Sequence, residues 1–467
     1  MPHDPQPRRW RVLALLATAF FMTILDSTIV VTALPSIAAD LGMDDVGGQW
    51  VVTAYVLAFG ALLLFFGRVA DLLGRRRMFI GGNALWVAAS LLCGLAPSGE
   101  LLIAGRGLQG LAAAVIAPAA LSIVMVTFPA GPERNKALAL WGGLGGVGAT
   151  VGLVLGGLIT DGLGWEFIFF VNVPVGIVVG ALSLSLLRES REAGAPRTFD
   201  VAGAVLVTAA LSLLVYAITQ IPTVGWSHPR TLGLFVVACV FGGLLIVVES
   251  RCAAPLVPGR ILRSRLLIGG NLLIFTAGMA VDGLLITLTA YVQRVLEWSA
   301  LQFGLLAAVM TVTSVVAIVA VERSIDHIGM KWAAVAGSTL LGAGCLILVS
   351  TAGAVGSVSI LVAGLLVFGA GMGAAFVSAQ IAALTDVRAG HSGLAAGLVD
   401  TSFSIGSCLG VALATTAALI GGYQTAFAAT AVIAAVGVVI GLTLLHRPSR
   451  TADEVPDLAD ELVNDRL

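Results

Sequence analysis

Charge is what this sequence has least of. Only 11% of the 467 residues are Asp, Glu, Lys or Arg, against about 25% in soluble domains. The 25 basic and 26 acidic residues leave a net charge of -1, so there is no basic field for nucleic acid, which is excluded as a partner. Paired cysteines are missing too. Cys93, Cys239, Cys252, Cys345 and Cys408 stand singly, which argues against a metal centre or a disulfide framework and reads them as small packing residues. No phosphate-binding Gly-Lys-Ser/Thr loop is present, so nucleotide hydrolysis is not the energy source. His3, His228, His327, His391 and His446 lie at or near the ends of apolar runs, leaving no histidine relay inside them. No soluble stretch is long enough for a catalytic domain, so the chain is not read as an enzyme.

What is abundant is apolar length: 58% hydrophobic residues and a mean hydropathy of +1.02. A membrane-spanning helix needs about 20 apolar residues. Six such runs lie near 11–35, 49–66, 77–96, 100–126, 136–160 and 167–187, and eight more near 200–220, 231–250, 266–292, 301–321, 331–351, 357–384, 391–419 and 422–446. With 57 glycines to let helices approach closely, the expected class is an all-α integral membrane protein of 14 transmembrane helices. Placing the N-terminus inside puts 22 of the 25 Lys and Arg on the cytoplasmic side, leaving Arg106, Arg230 and Arg294 for the outer half or outer loops. That bias requires an even number of spans and both termini cytoplasmic, in the cytoplasmic membrane.

The chain also carries traces of a repeat. The turn from Gly67 to Arg77 returns in weaker form as Asp326 to Lys331. Asp71 and Asp326, like Gly74 and Gly329, are 255 residues apart, and Asp26 and Asp282 are 256 apart. This spacing predicts two pseudo-symmetric six-helix bundles, 1–187 and 266–446, separated by two inserted helices with linkers in 188–265 and followed by a polar tail, 447–467, read as disordered. Parallel repeats of this kind suit a transporter that rocks two bundles around a central site.

Ionisable groups in mid-span are costly, about 2.5–3.5 kcal/mol each on insertion scales, and so mark function. Asp26, Arg106, Asp282 and Asp400 qualify. Asp26 and Arg106 fall at similar depth on antiparallel spans. They form either a proton-coupling pair or a permanent bolt within the bundle. Asp282 and Asp400 have no intramembrane base nearby in sequence, which leaves a proton or a cationic ligand as the partner. Asp26, Asp282 and Asp400, with Tyr55 and Gln109, are the candidate substrate-binding residues. In the turn, Gly67, Asp71, Gly74 and Arg75 read as a conformational latch. Gly142, Gly143, Gly145, Gly146, Gly148, Gly152, Gly156 and Gly157 line a span at spacings that admit close backbone contact.

These motifs resemble the major facilitator superfamily, specifically its fourteen-span drug:proton antiporter branch. Leu25-Asp26-Ser27-Thr28-Ile29-Val30 with Ala33-Leu34-Pro35 resembles that branch's first-span motif. Gly67 to Arg77 resembles the loop signature GxLxDRxGRR. Arg106, Gln109 and Gly110 resemble the fourth-span motif, and Trp165 to Gly176 resembles WRWIFxxNVPIG. Phe199-Asp200 through Trp226 resembles the extra helices, and Gly148, Gly152, Gly156 and Gly157 fall in the antiporter motif GxxxGPxxGG. The resemblance implies proton-coupled export of hydrophobic, often cationic compounds, with protons as the coupling ion, no other cofactor, and Asp26 and Arg106 in coupling roles. A monomer in the bilayer is expected. Alternatives are a dedicated exporter of an endogenous metabolite or lipid, and a non-transporting receptor or scaffold. The sequence departs from the pattern at Leu153 (usually Pro), Val31 (Asn), Leu72 (Arg), Asp400 (Asn), Phe403-Ser404 (Arg-Gln) and Glu297 (Gly). The second-half cavity is therefore expected to be more negative than is typical.

Overall fold

The computed structural model describes residues 6–129, 132–190, 201–251, 264–351, 357–385 and 392–445. The tail at 447–467 and much of the linkers around the inserted helices lie outside them. Among the described residues every regular element is helical. Backbone N–H and C=O groups in hydrocarbon must pair within their own segment, and a helix achieves that.

The first helices are α1 (Gln6–Asp40), α2 (Asp45–Leu73), α3 (Arg75–Gly94), α4 (Gly99–Thr127) and α5 (Pro132–Leu163). A short α6 (Phe167–Phe170) leads into α7 (Asn172–Leu186). There follow α8 (Val201–Thr219), a one-turn α9 (Ile221–Val224) and α10 (Pro229–Arg251), then α11 (Arg265–Ala290), α12 (Ala300–Ile328), α13 (Met330–Thr351), α14 (Val358–Thr385) and α15 (Ser392–Leu444). Among the described residues eleven helices are long and apolar enough to cross a membrane. Stretches within α5 and α8 are shorter apolar helices. The 53-residue α15 is broken at Gly422, whose φ of 77° and ψ of -179° interrupt the helical backbone.

Local chemistry sets the boundaries. Asp44 caps α2 by accepting from the Gly47 N–H at 2.7 Å. Ser98 caps α4 and Ser264 caps α11 in the same way. Ser299 and Gln302 form a reciprocal capping box on α12. Gly74 and Gly329, the equivalent glycines of the strong and weak turns, have φ of 116° and 81°. Both occupy the left-handed region that glycine enters without penalty. Arg9 and Arg75 to Arg77 lie at the same end of the helices, the arginine-rich face, and Asp40 and Asp45 mark the opposite one.

The N-terminal helices α1–α7 pack among themselves, as do α11–α15, while α8 and α10 pair with each other. The inserted pair is held against α2 and the first half of α15: Leu57, Val215, Ile218, Cys408 and Ala412 form one apolar cluster. α10 exposes most of its surface, Cys239 included. Cys93, Cys345 and Cys408 are buried, unpaired core residues, and Cys252 is outside the described residues.

The main core is continuous across both helix groups, running from Leu25 and Ile29 through Leu153 to Phe303 and Phe368. α5 makes the seam. Its Gly148, Gly152 and Gly156 meet α1, where an added Cβ would fall 2.1 Å from Thr28 Oγ1 at position 152 and 2.2 Å from Thr32 Oγ1 at position 156. Its other face carries Gly157, packed on the backbone of Ala300 and Leu301, and Leu153, whose carbonyl meets Gly304. The surroundings of Gly142, Gly143 and Gly146 are outside the described residues. Leu153, where the resemblance has Pro, sits fully buried in an uninterrupted helix.

α11 ends in a π-turn, Tyr291–Val295, and Glu297 just beyond it has φ 57°. That is the left-handed conformation, so glycine is the unstrained residue at this position.

Two substitutions are expected to act in opposite directions. Gly304→Ala places a Cβ 2.3 Å from the Leu153 carbonyl oxygen and is expected to cost about 1–3 kcal/mol by overpacking. Glu297→Gly is expected to add about 1 kcal/mol by removing left-handed strain. Equilibrium unfolding in detergent micelles checks both.

Candidate functional site

The deepest polar cluster gathers around Arg106 on α4. Its side chain is fully buried, which in an apolar bundle demands a counter-charge and a partner for each N–H. Nη1 donates to Asp26 Oδ2 of α1 at 2.5 Å and to Gln109 Oε1 at 2.8 Å. Nε donates to the Val51 carbonyl of α2 at 3.0 Å. The guanidinium stacks 4.4 Å from the Tyr55 ring centroid, a cation–π contact strengthened by exclusion of water. Tyr55 is held by its own hydroxyl, which donates to the Thr23 carbonyl at 2.9 Å.

Asp26 accepts two further bonds on Oδ1. Gln109 Nε2 donates at 3.2 Å and Asn172 Nδ2 at 2.5 Å. Asn172 opens α7, and the one-turn α6 before it is anchored by Trp165 Nε1 donating to Asp40 Oδ2 at 3.0 Å. The conformation of this segment therefore delivers Asn172 to the carboxylate. Gln109 also donates to Ser90 Oγ at 2.9 Å. Two atoms in the cluster lack a hydrogen-bond partner, Arg106 Nη2 and Asn172 Oδ1. Tyr55 and Gln109, candidate substrate residues by sequence, are here enclosed within the ion-pair cluster, at 3% and 0% exposure.

The second pair of acids is arranged differently. Asp282 on α11 is half-buried and accepts from the Ser407 hydroxyl of α15. Asp400 lies seven residues before Ser407, hence on the same stripe of α15 and about 10 Å away along the axis. Neighbouring stripes identify what it faces. Gly406 and Gly410 pack on Phe275 and Met279 of α11, while Ser404 meets Gly60 of α2. The Asp400 stripe lies between them, at the junction of the two helix groups. Asp400 is exposed there, although its neighbours Val399 and Thr401 are buried. No basic side chain among the described residues pairs with either acid.

On the arginine-rich face, Gly74 and the arginines after it dock on the end of α7. Arg75 N donates to the Ser190 carbonyl at 3.1 Å, Arg76 N to Glu189 Oε1 at 3.2 Å, and Arg77 Nε lies 3.6 Å from Glu189 Oε2. Gly67 approaches Pro118 of α4, with 3.5 Å available to an added Cβ. The side chains of Asp71 and Asp326 are outside the described residues. Sequence reasoning missed Glu189, Ser407 and the role of Asn172. For Asn172 the signal was present in the Asn-Val-Pro-Val-Gly segment, but nothing in one dimension aims it at Asp26. Several polar contacts joining the helix groups lie toward the Asp45 face: Arg294 pairs with Asp45, Gln293 Nε2 donates to the Thr32 carbonyl at 2.8 Å, and Asp161 caps the Ala300 and Leu301 amides at 3.2 and 3.0 Å.

Comparison with known proteins agrees with this architecture. The model of the Major Facilitator Superfamily matches residues 16–261 and 270–464. The puromycin resistance protein pur8 of Streptomyces alboniger is 35% identical, over 96% of this chain and 94% of that protein. The multidrug resistance protein Stp of Mycobacterium tuberculosis is 34% identical, over 87% and 75%. The tetracenomycin C resistance and export protein of Streptomyces glaucescens is 33% identical, over 87% and 75%. Among solved structures, a POT family transporter superposes with a TM-score of 0.69 at 12% identity, over 92% of this chain and 95% of that one. The human organic anion transporter MFSD10 (TETRAN) superposes at 0.62 and 17%, over 94% and 100%. These two likenesses concern the fold alone. The chain belongs to the Major Facilitator Superfamily. It is a multi-pass integral membrane transporter and not an enzyme.

Removing one charge of the Asp26–Arg106 pair leaves the other buried and unpaired. Asp26→Asn and Arg106→Gln are each expected to cost about 3–5 kcal/mol, and the double variant clearly less than their sum. Unfolding of the four proteins in micelles measures this coupling, and additive losses would show that the pair is not the anchor.

Proposed function

We propose that this transporter is a proton-coupled antiporter that exports hydrophobic, cationic compounds across the cytoplasmic membrane. The observation that carries the reading is Asp400, an exposed carboxyl at the junction of the helix groups, two turns along α15 from the serine that donates to Asp282, with no basic partner among the described residues. A cationic compound entering there meets unneutralised acid within apolar walls. The relatives named for puromycin resistance, multidrug resistance and tetracenomycin export support export of drug-like compounds, and the preference for cations rests on the acids.

In this reading the chain makes fourteen spans: the eleven long helices, the shorter apolar stretches of α5 and α8, and α15 counted twice across Gly422. Two six-helix bundles flank the inserted α8 and α10, and the arginine-rich face and both termini are cytoplasmic, in keeping with the charge bias. The joining contacts near Asp45 then close the outer side, and Asp400 is open to the cytosol. This is a loading conformation. Release follows rocking of the bundles, and proton uptake on the acids resets the carrier. For Asp26 that step requires an exchange of its bond with Arg106, which would link its protonation to movement of α1 against α4. One proton exchanged for a monovalent cation is electroneutral, whereas a second also draws on the voltage, about 2.3 kcal/mol per charge per 100 mV.

A second reading, a dedicated exporter of one metabolite, is favoured by relatives named for single compounds, such as the cephamycin export protein of Amycolatopsis lactamdurans. One experiment separates the two. In energised inside-out vesicles carrying a pH dye, ethidium and puromycin are expected to discharge the proton gradient with the wild type. Asp400→Asn and Asp282→Asn are expected to reduce the ethidium response at least tenfold, and Asp26→Asn to abolish both. Silence across a broad panel of compounds would favour the dedicated exporter.

A further inference from the structure

A pocket with both polar and apolar lining lies between the helix groups, at the Asp45 end of the molecule. It has a volume of about 170 Å³ and is bounded by the ends of α1, α2 and α11 and by α15 on either side of its break. Gln49 of α2 lines it. This side chain is 2% exposed, yet neither its Nε2 nor its Oε1 has a hydrogen-bond partner. A buried amide without partners costs about 1–3 kcal/mol, and proteins rarely leave one so without a ligand or water to satisfy it.

The remaining polar groups define what fits. Asp45 and Arg294 also line the pocket, but they pair with each other at its outer edge, so no unneutralised charge is on offer. Leu34, Ile286 and Leu419 supply apolar wall, and Tyr423 supplies an aromatic one. The pocket also lies in line with the central acids. Ile286 is four residues, and Thr289 seven, beyond Asp282 on α11, so both continue its stripe toward this end.

We propose that this pocket is an exit-side binding site, distinct from the acids, which takes a neutral hydrogen-bonding group, such as an amide, carbonyl or hydroxyl, of the exported amphipathic compound. Gln49 is its recognition residue, donating from Nε2 and accepting on Oε1. Asp282 and Asp400 select for positive charge, and Gln49 selects for a polar neutral group on the same molecule. The Asp45–Arg294 pair opens when the outer side opens. The inference rests on the export reading above.

The test compares transport of puromycin, which carries an amide and hydroxyls, with that of tetraphenylphosphonium, a cation without a hydrogen-bonding group. Gln49→Leu keeps the volume and removes both bonds. Ala418→Leu fills the pocket from α15 and leaves Gln49 in place. Both variants are expected to raise the half-saturating puromycin concentration about tenfold, the equivalent of one or two hydrogen bonds, and to leave tetraphenylphosphonium within twofold of wild type. Gln49→Asn is expected to recover part of the puromycin affinity. An equal shift for both probes would reduce Gln49 to a structural role, and no shift for either would leave the pocket a water site; each result overturns the proposal. Equilibrium binding of radiolabelled puromycin to purified protein separates the two readings. Gln49-dependent binding without wild-type transport would keep the site and sink export, while export with Gln49-independent binding would do the reverse.

Discussion

A guanidinium in the middle of an apolar helix bundle has to be neutralised, and the first half of this protein is organised around that requirement. Arg106 draws a carboxylate from α1, a carbonyl from α2 and an amide oxygen from its own helix, and it rests on an aromatic ring. Asp26 in turn draws Asn172 from α7. Four helices are thus held at one point by a single charge and its counter-charge. Low local dielectric makes these bonds strong and their loss costly, so the cluster sets the relative depth of the helices more firmly than apolar packing, which slides at little cost in lipid. The small residues of α5 and α1 then let the backbones close on this frame.

The two halves handle membrane-embedded acid in opposite ways. Asp26 is sealed with its base and excluded from water. Among the described residues Asp400 pairs with no base and is exposed, and Asp282 accepts from a serine hydroxyl. In the export reading, a rigid neutralised cluster keeps one group of helices a body that moves as a unit, and an unneutralised acid provides something to bind. α5, with its glycine face on α1 and its Leu153–Gly157 face on α12, is where those bodies meet.

Much of this was legible in one dimension. Long apolar runs appear as helices because the sequence leaves no charges to interrupt them. Arg106 and Asp26 could be paired from depth alone, since antiparallel spans bring equal depths together. The turns at Gly74 and Gly329 were marked by their 255-residue spacing, and both adopt the positive φ that glycine permits. Tyr55 and Gln109, expected among the substrate-binding residues, are enclosed around Arg106 in the structure, where a buried guanidinium gathers an acceptor and an aromatic face. Glu297 stood out as a departure from the family pattern, and its left-handed backbone explains why glycine is the usual residue there.

Composition and spacing determined the class of protein, the helical content, the costly charges and their rough depth, because these follow from the free energy of placing residues in hydrocarbon. Partnership was decided by tertiary structure. That Asn172 reaches Asp26, that Glu189 receives the arginine turn, that Ser407 meets Asp282 and that Gln49 faces a pocket without a partner all depend on helix rotation and crossing. Those quantities are set by side-chain packing between segments far apart in the chain, and no local pattern encodes them.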